Sequence, residues 1–262
     1  MPAERTGLDK VLYDLTMGHL AKLREYTPGP VRKTGGGVDQ LVQRYREDPL
    51  FSIFGLDSRE YVAAALSGGT ITSIHRKIGD IYEACVKAVF SEALGLAPTD
   101  LVYEAIIRSG SKKETRSTDV YLEFARVPDD RRRQAMISYG AAELAALTKS
   151  PKIDLIGLGL EVRHCYQTGD SKRTQADEAM ARHLLVSAIL PIMPLFRNQS
   201  NPGIVRRYRS VWVVKEGMAS YEMVREVSGY DLYGFMTRNK EEFRKPVIEM
   251  LQDSGHEAAN AF

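Results

Sequence analysis

Apolar residues recur every three or four positions through residues 8–24, LDKVLYDLTMGHLAKLR, and that spacing predicts a helix. A turn-rich break follows at 27–37, TPGPVRKTGGG. Residues 38–46 and 58–66 read as short helices. After Ser67-Gly68-Gly69 a longer helix runs from about Thr72 to Leu94, with the stripe Ile74, Ile78, Ile81, Cys85, Val89 and Ala93. The period then changes. LVYEAII at 101–107 reads as a strand, SGSKKETRS at 109–117 as a loop with three cations, and TDVYLEFA at 118–125 as a second strand. In that strand Val120, Leu122 and Phe124 form an apolar face, with Asp119, Tyr121 and Glu123 opposite. A helix over 134–148, a strand over 153–166 and a helix over 172–188 come next. ILPIMPLF at 189–196 is an apolar strand whose two prolines argue for a place near a sheet edge or end. RYRSVWVV at 207–214 is a further strand, and the remainder is helical. The pattern predicts an α/β fold: a mixed central β-sheet of four to five strands flanked by helices, preceded by a helical N-terminal region. The expected division is 1–70 for that region, an arm or dimer contact, and 71–262 for the main domain.

Composition narrows this only mildly. The chain has 262 residues, 44% hydrophobic and 27% charged, which suits a globular protein with an ample core. A net charge of +2 excludes a globally basic nucleic-acid coat but permits local basic patches. Cys85 and Cys165 form no CxxC pair and read as reduced thiols. The N-terminus lacks a signal-peptide run, and no segment has the length and apolarity of a membrane span, so the expectation is a cytoplasmic location with no membrane partner.

The candidate chemistry lies on the two middle strands. Side chains alternate along a strand, so Glu161 and Arg163 emerge on one face, with Val162 on the other. Asp119 opens the strand that should lie alongside. Two carboxylates from adjacent strands can share one Mg²⁺, and a neighbouring cation can neutralise a phosphate. The plainer reading is a turn aspartate and an ion pair between Glu161 and Arg163. Glu83, on the long helix, could reach the same site or simply pair with Lys87 one turn on. His75 and Arg76 are candidate phosphate contacts. Lys112, Lys113 and Arg116 form one basic cluster, with Lys172 and Arg173 at the start of a following helix. Asn198, Gln199, Asn201, Arg206, Arg207 and Arg209 form another polar cluster. Arg and Lys suit phosphate and guanine, and Asn and Gln suit adenine. A charge run is also what a solvated face looks like. The chain has no GxGxxG after a strand, no GxxxxGK[ST] loop and no GxSxG elbow, which leaves a small-molecule enzyme without a motif.

The segments ITSIHRKIGDIYE (71–83), STDVYLEF (117–124), GLEVRHCYQTGDSKRTQADEAMARHL (159–184), ILPIMPLFRNQSN (189–201) and RYRSVWVVKEGMASYEMVREVSGYDLYGFM (207–236) resemble, in this order, the PD-(D/E)XK nuclease superfamily. More closely, they resemble type II restriction endonucleases of the ApaLI-like kind. The resemblance implies Mg²⁺-dependent hydrolysis of double-stranded DNA at a short palindrome by a homodimer. Asp119 and Glu161 would be metal ligands, Glu83 an auxiliary acid, and Arg163 would stand where the family has lysine. That departure leaves two alternatives open: Lys172 or Lys113 supplies the cation, or the fold binds DNA without cutting it.

Overall fold

The computed structural model describes residues 6–23, 38–47, 58–109, 112–148, 153–163, 171–197 and 200–259. The chain forms two compact units, residues 1–12 with 81–237, and residues 13–80 with 238–262. The elements are α1 (Gly7–Ala21), α2 (Val38–Arg46), α3 (Arg59–Leu94), β1 (Glu104–Ser109), β2 (Lys112–Ser117), β3 (Val120–Glu123), α4 (Asp130–Leu147), β4 (Gly157–Leu160), α5 (Ser171–Val186), β5 (Ile189–Leu195), α6 (Pro202–Tyr208), β6 (Val213–Glu216), α7 (Met218–Ser228), α8 (Leu232–Arg238) and α9 (Lys240–Ala259). The fold is α/β, with a mixed four-stranded sheet and a separate two-stranded ribbon.

In the smaller unit, α2 buries Leu41 and Val42 against Val62 and Leu66 of α3. Tyr13 packs on Phe243 of α9 at 5.8 Å between ring centroids. The Ser-Gly-Gly step does not break the helix: α3 is continuous from Arg59 to Leu94. Two glycines cost roughly 1 kcal/mol each relative to alanine, a penalty the buried stripe on either side outweighs.

The larger unit is built on the order β3-β4-β5-β6, antiparallel between β3 and β4 and parallel thereafter. Its strands are covered on both faces. A Cβ at Gly159 would meet Leu184 of α5, whereas Leu158, its neighbour on the opposite face, reaches Gly140 of α4. Double coverage explains why Tyr121, read as part of a polar face, is buried with Tyr103 packed on it. The N-terminal part of the unit includes Asp9, which accepts a 2.5 Å hydrogen bond from Tyr230.

Four readings of the strands are corrected. The segment 112–117 is no loop but β2, pairing in antiparallel register with β1, Glu104 opposite Ser117 and Ser109 opposite Lys112. Residues 98–101 form a 3₁₀ turn, so that strand starts at Glu104. Segment 207–214 splits into the end of α6, a turn and a strand from Val213. The proline-bearing strand β5 is central rather than peripheral. Backbone groups of Ile192 and Pro194 face the β4 side, because their carbonyls accept from Glu161 and Arg163. Those of odd-numbered residues face β6, where the Leu195 carbonyl accepts from Gly217. Pro191 therefore precedes the first β6 pair at Ile192, and Pro194 follows the last β4 pair, also at Ile192. Neither proline removes a donor from a paired ladder position.

Candidate active site

Pro194 shapes the site directly. It offers no N–H at the point where β4 would continue, so regular pairing ends at Leu160, inside the strand that the sequence suggests. It resumes as one bridge, Arg163 with Leu195. Glu161 and Val162 occupy the gap. The antiparallel register sets Val120 opposite Leu160, which brings Asp119, just before β3, beside Glu161, just after β4.

Three oxygens meet there on one cation. Arg163 Nη1 donates to Asp119 Oδ2 and to the Val162 carbonyl, each at 2.8 Å. Arg163 Nη2 pairs with Glu161 Oε1. The Val162 N–H donates to the same Asp119 oxygen at 2.8 Å, which pins the backbone of the gap to the aspartate. The side chains are largely withdrawn from solvent, 18% exposed for Asp119, 10% for Glu161 and 20% for Arg163. Burial pushes the Asp119 carboxyl up from the ordinary aspartate range. The Arg163 charge and the Val162 N–H oppose that shift, and the nearby Glu83 charge adds to it.

Glu83 and Lys87 thus stand within electrostatic reach of Asp119, Lys87 lowering its pKa where Glu83 raises it. The two pair with each other at 2.6 Å across one helical turn. Their helix is held against this end of the sheet by aromatic packing. Tyr82 stacks on Phe196 at 4.4 Å and shares a 2.5 Å hydroxyl contact with Tyr221. Phe196 in turn donates its N–H to the Arg163 carbonyl. Lys87 was not singled out in the sequence as more than a partner for Glu83. The available signal was its position four residues after a candidate acid, which fixes both on one helix face.

The donor set fits a hard divalent cation. Two carboxylate oxygens and a backbone carbonyl already converge on a positive group, and Mg²⁺ takes such oxygens with water and phosphate completing its octahedron. Among the described residues no group of three or more His, Cys, Asp or Glu is placed to hold a metal ion, so two carboxylates and a carbonyl are what this site offers.

The basic candidates are scattered. Lys113 is exposed on β2, and Arg116, half-buried, pairs with Glu114 at 2.9 Å. Arg173 and Arg206 are exposed on α5 and α6. Arg207 pairs with Glu178, and Arg209 with Glu216 at 2.7 Å. Asn201 caps α6, accepting from the N–H groups of Gly203 and Ile204. Lys112 and Lys172 have described backbones in β2 and α5, and nothing is assigned to their side chains. Asn198 and Gln199 lie outside the described residues, as do residues 164–170 with Cys165. His75, half-buried, and Arg76, exposed, belong to the smaller unit. His183 is engaged by Tyr103, hydroxyl to Nε2 at 2.9 Å, as a packed histidine.

No protein-family model matches the chain, and comparisons with curated proteins and with solved structures find no match. Among the described residues no helix is long and apolar enough to cross a membrane.

Proposed function

We propose that this chain is a type II-like, Mg²⁺-dependent endonuclease that hydrolyses double-stranded DNA at a short palindromic site as a homodimer. The observation that supports it is the meeting of Asp119, Glu161 and the Val162 carbonyl on one cationic point at the end of adjacent strands. A divalent cation bound there would act as a Lewis acid on the scissile phosphate and lower the pKa of a bound water. Asp119 and Glu161 hold that cation. Arg163 stays protonated and cannot serve as a base, so its part is to bind a phosphate oxygen. Lys87 adds a second positive charge on the α3 side, and Glu83 keeps it oriented through their ion pair. A cytoplasmic location accompanies this reading, since the substrate is intracellular DNA.

A second reading has its own support. Arg163 already pairs with both carboxylates, which is what a purely structural ion-pair network does, and a non-cleaving DNA-binding protein would need no more. Incubation with mixed plasmid DNA and Mg²⁺ separates the two. Discrete, metal-dependent fragments are expected. Retarded but uncut DNA would favour the binding protein, and neither cutting nor binding would dispose of both.

A further inference from the structure

We propose that Arg163 is a tethered counter-cation that exchanges with a divalent metal ion on Asp119 Oδ2, Glu161 Oε1 and the Val162 carbonyl. The proposal rests on reading this cluster as a metal-dependent phosphodiesterase site. All three oxygens that would bind the metal are committed to the guanidinium, Nη1 taking two of them at 2.8 Å and Nη2 the third. A guanidinium and a hydrated divalent ion cannot share them.

Charge indicates the direction of exchange. Asp119, Glu161 and Glu83 supply three carboxylates, and Arg163 and Lys87 supply two cations. This named set is one positive charge short, and an incoming phosphodiester adds another negative charge. A divalent ion makes up the difference only if Arg163 stays nearby instead of being lost. Its backbone is anchored by the bridge to Leu195, so the head group can leave the oxygens while the residue keeps its place. Released, it can donate two parallel hydrogen bonds to phosphate, a geometry lysine lacks. Arginine at this position would then be a functional alternative: it holds two buried carboxylates together without metal and passes to the substrate when metal arrives.

The consequence has a sign opposite to that of an ordinary supporting residue. A site closed by its own arginine binds metal with an apparent affinity reduced by the fraction of time it is open. If the site is open about 1–10% of the time, removing the guanidinium tightens metal binding about ten- to a hundredfold. The test is calorimetric titration of the full chain with Mn²⁺, without DNA and at about pH 8 to keep the carboxylates ionised. Wild type, Arg163→Met and Glu161→Gln are compared. Tighter binding in R163M together with loss in E161Q is the expected result. Equal or weaker binding in R163M overturns the exchange but leaves the metal site standing. No binding by wild type or R163M overturns the metal site, and with it the proposed function. Should R163M fail to fold, the wild-type guanidinium ¹⁵N signal that disappears in Arg163→Lys is followed against Mg²⁺. It should move to the position of a solvated arginine, and an unmoved signal at saturating Mg²⁺ overturns the exchange.

Discussion

Asp119 and Glu161 owe their importance to position. Each stands one residue beyond a paired strand, Asp119 just before β3 and Glu161 just after β4, with the Glu161 N–H still donating to the Ile192 carbonyl. If the chain cuts DNA as proposed, replacing either by alanine is expected to reduce Mg²⁺-dependent cleavage to background while DNA retention in a gel persists, because most phosphate and base contacts of such a protein would lie outside the metal site. Substantial cutting by Asp119→Ala or Glu161→Ala would remove them from the site. The tyrosines around the site allow a second expectation. Burial raises the hydroxyl pKa of Tyr82 and Tyr221, and burial does the same for Tyr139. The folded form therefore keeps protons that the unfolded chain gives up above about pH 10. Stability from this source is complete below about pH 10 and falls as pH rises beyond it. Urea midpoints should drop between about pH 9 and 11, with tyrosinate absorbance appearing together with unfolding. Tyrosinate absorbance at full strength in the folded state would contradict the burial.

Within the sheet, β3 and β4 approach closely because β4 is Gly-Leu-Gly-Leu. A Cβ at Gly157 would lie 2.6 Å from the Leu122 carbonyl oxygen, a backbone atom that cannot simply rotate away. Gly157→Ala should destabilise the larger unit by about 1–3 kcal/mol, the usual cost of overpacking, and should loosen the register that brings Asp119 to Glu161. An unchanged denaturation midpoint would show that the strands can separate at no cost. The β1–β2 ribbon carries its own expectation. One face is seated on the core through Ile107, whereas Ile106 is 70% exposed and Lys113 on β2 is exposed. An exposed lysine can meet a phosphate, and a two-stranded ribbon fits the major groove. If the ribbon meets DNA, Lys113→Ala should weaken binding to all duplexes alike and lower the salt slope by about 0.9 per lost phosphate contact. An unaltered slope in an anisotropy titration would remove the ribbon from the interface.

At the scale of the whole molecule, the net charge of +2 means that the proposed binding of DNA by two copies of the chain would depend on local clusters. About six phosphate contacts per dimer would give a log–log salt slope near −5. A palindrome presents the same bond twice about a two-fold axis, so two copies of the chain match its two strands. Sedimentation with a short cognate duplex should show two chains per duplex. One chain at saturating protein would require a monomer that nicks the strands in turn.

Much of this architecture was readable in the residue pattern, for local reasons. Helical spacing located the stripe Ile81, Cys85 and Val89, and alternation located Val120 and Leu122, because those periods follow from backbone geometry alone. The partnership of Glu161 with Arg163 was legible for the same reason. The ribbon was not, since Lys-Lys-Glu-Thr-Arg has no apolar face and gains its strand form by pairing with β1. Nor was the central place of β5, because proline excludes a strand only where its missing N–H falls on a paired position, and that depends on where the neighbouring strands begin and end. Glu83 was offered by the sequence as able to reach this site, but the nearness of Lys87 to Asp119 was decided in three dimensions, with Tyr82 stacking on Phe196, a contact between residues far apart in the chain.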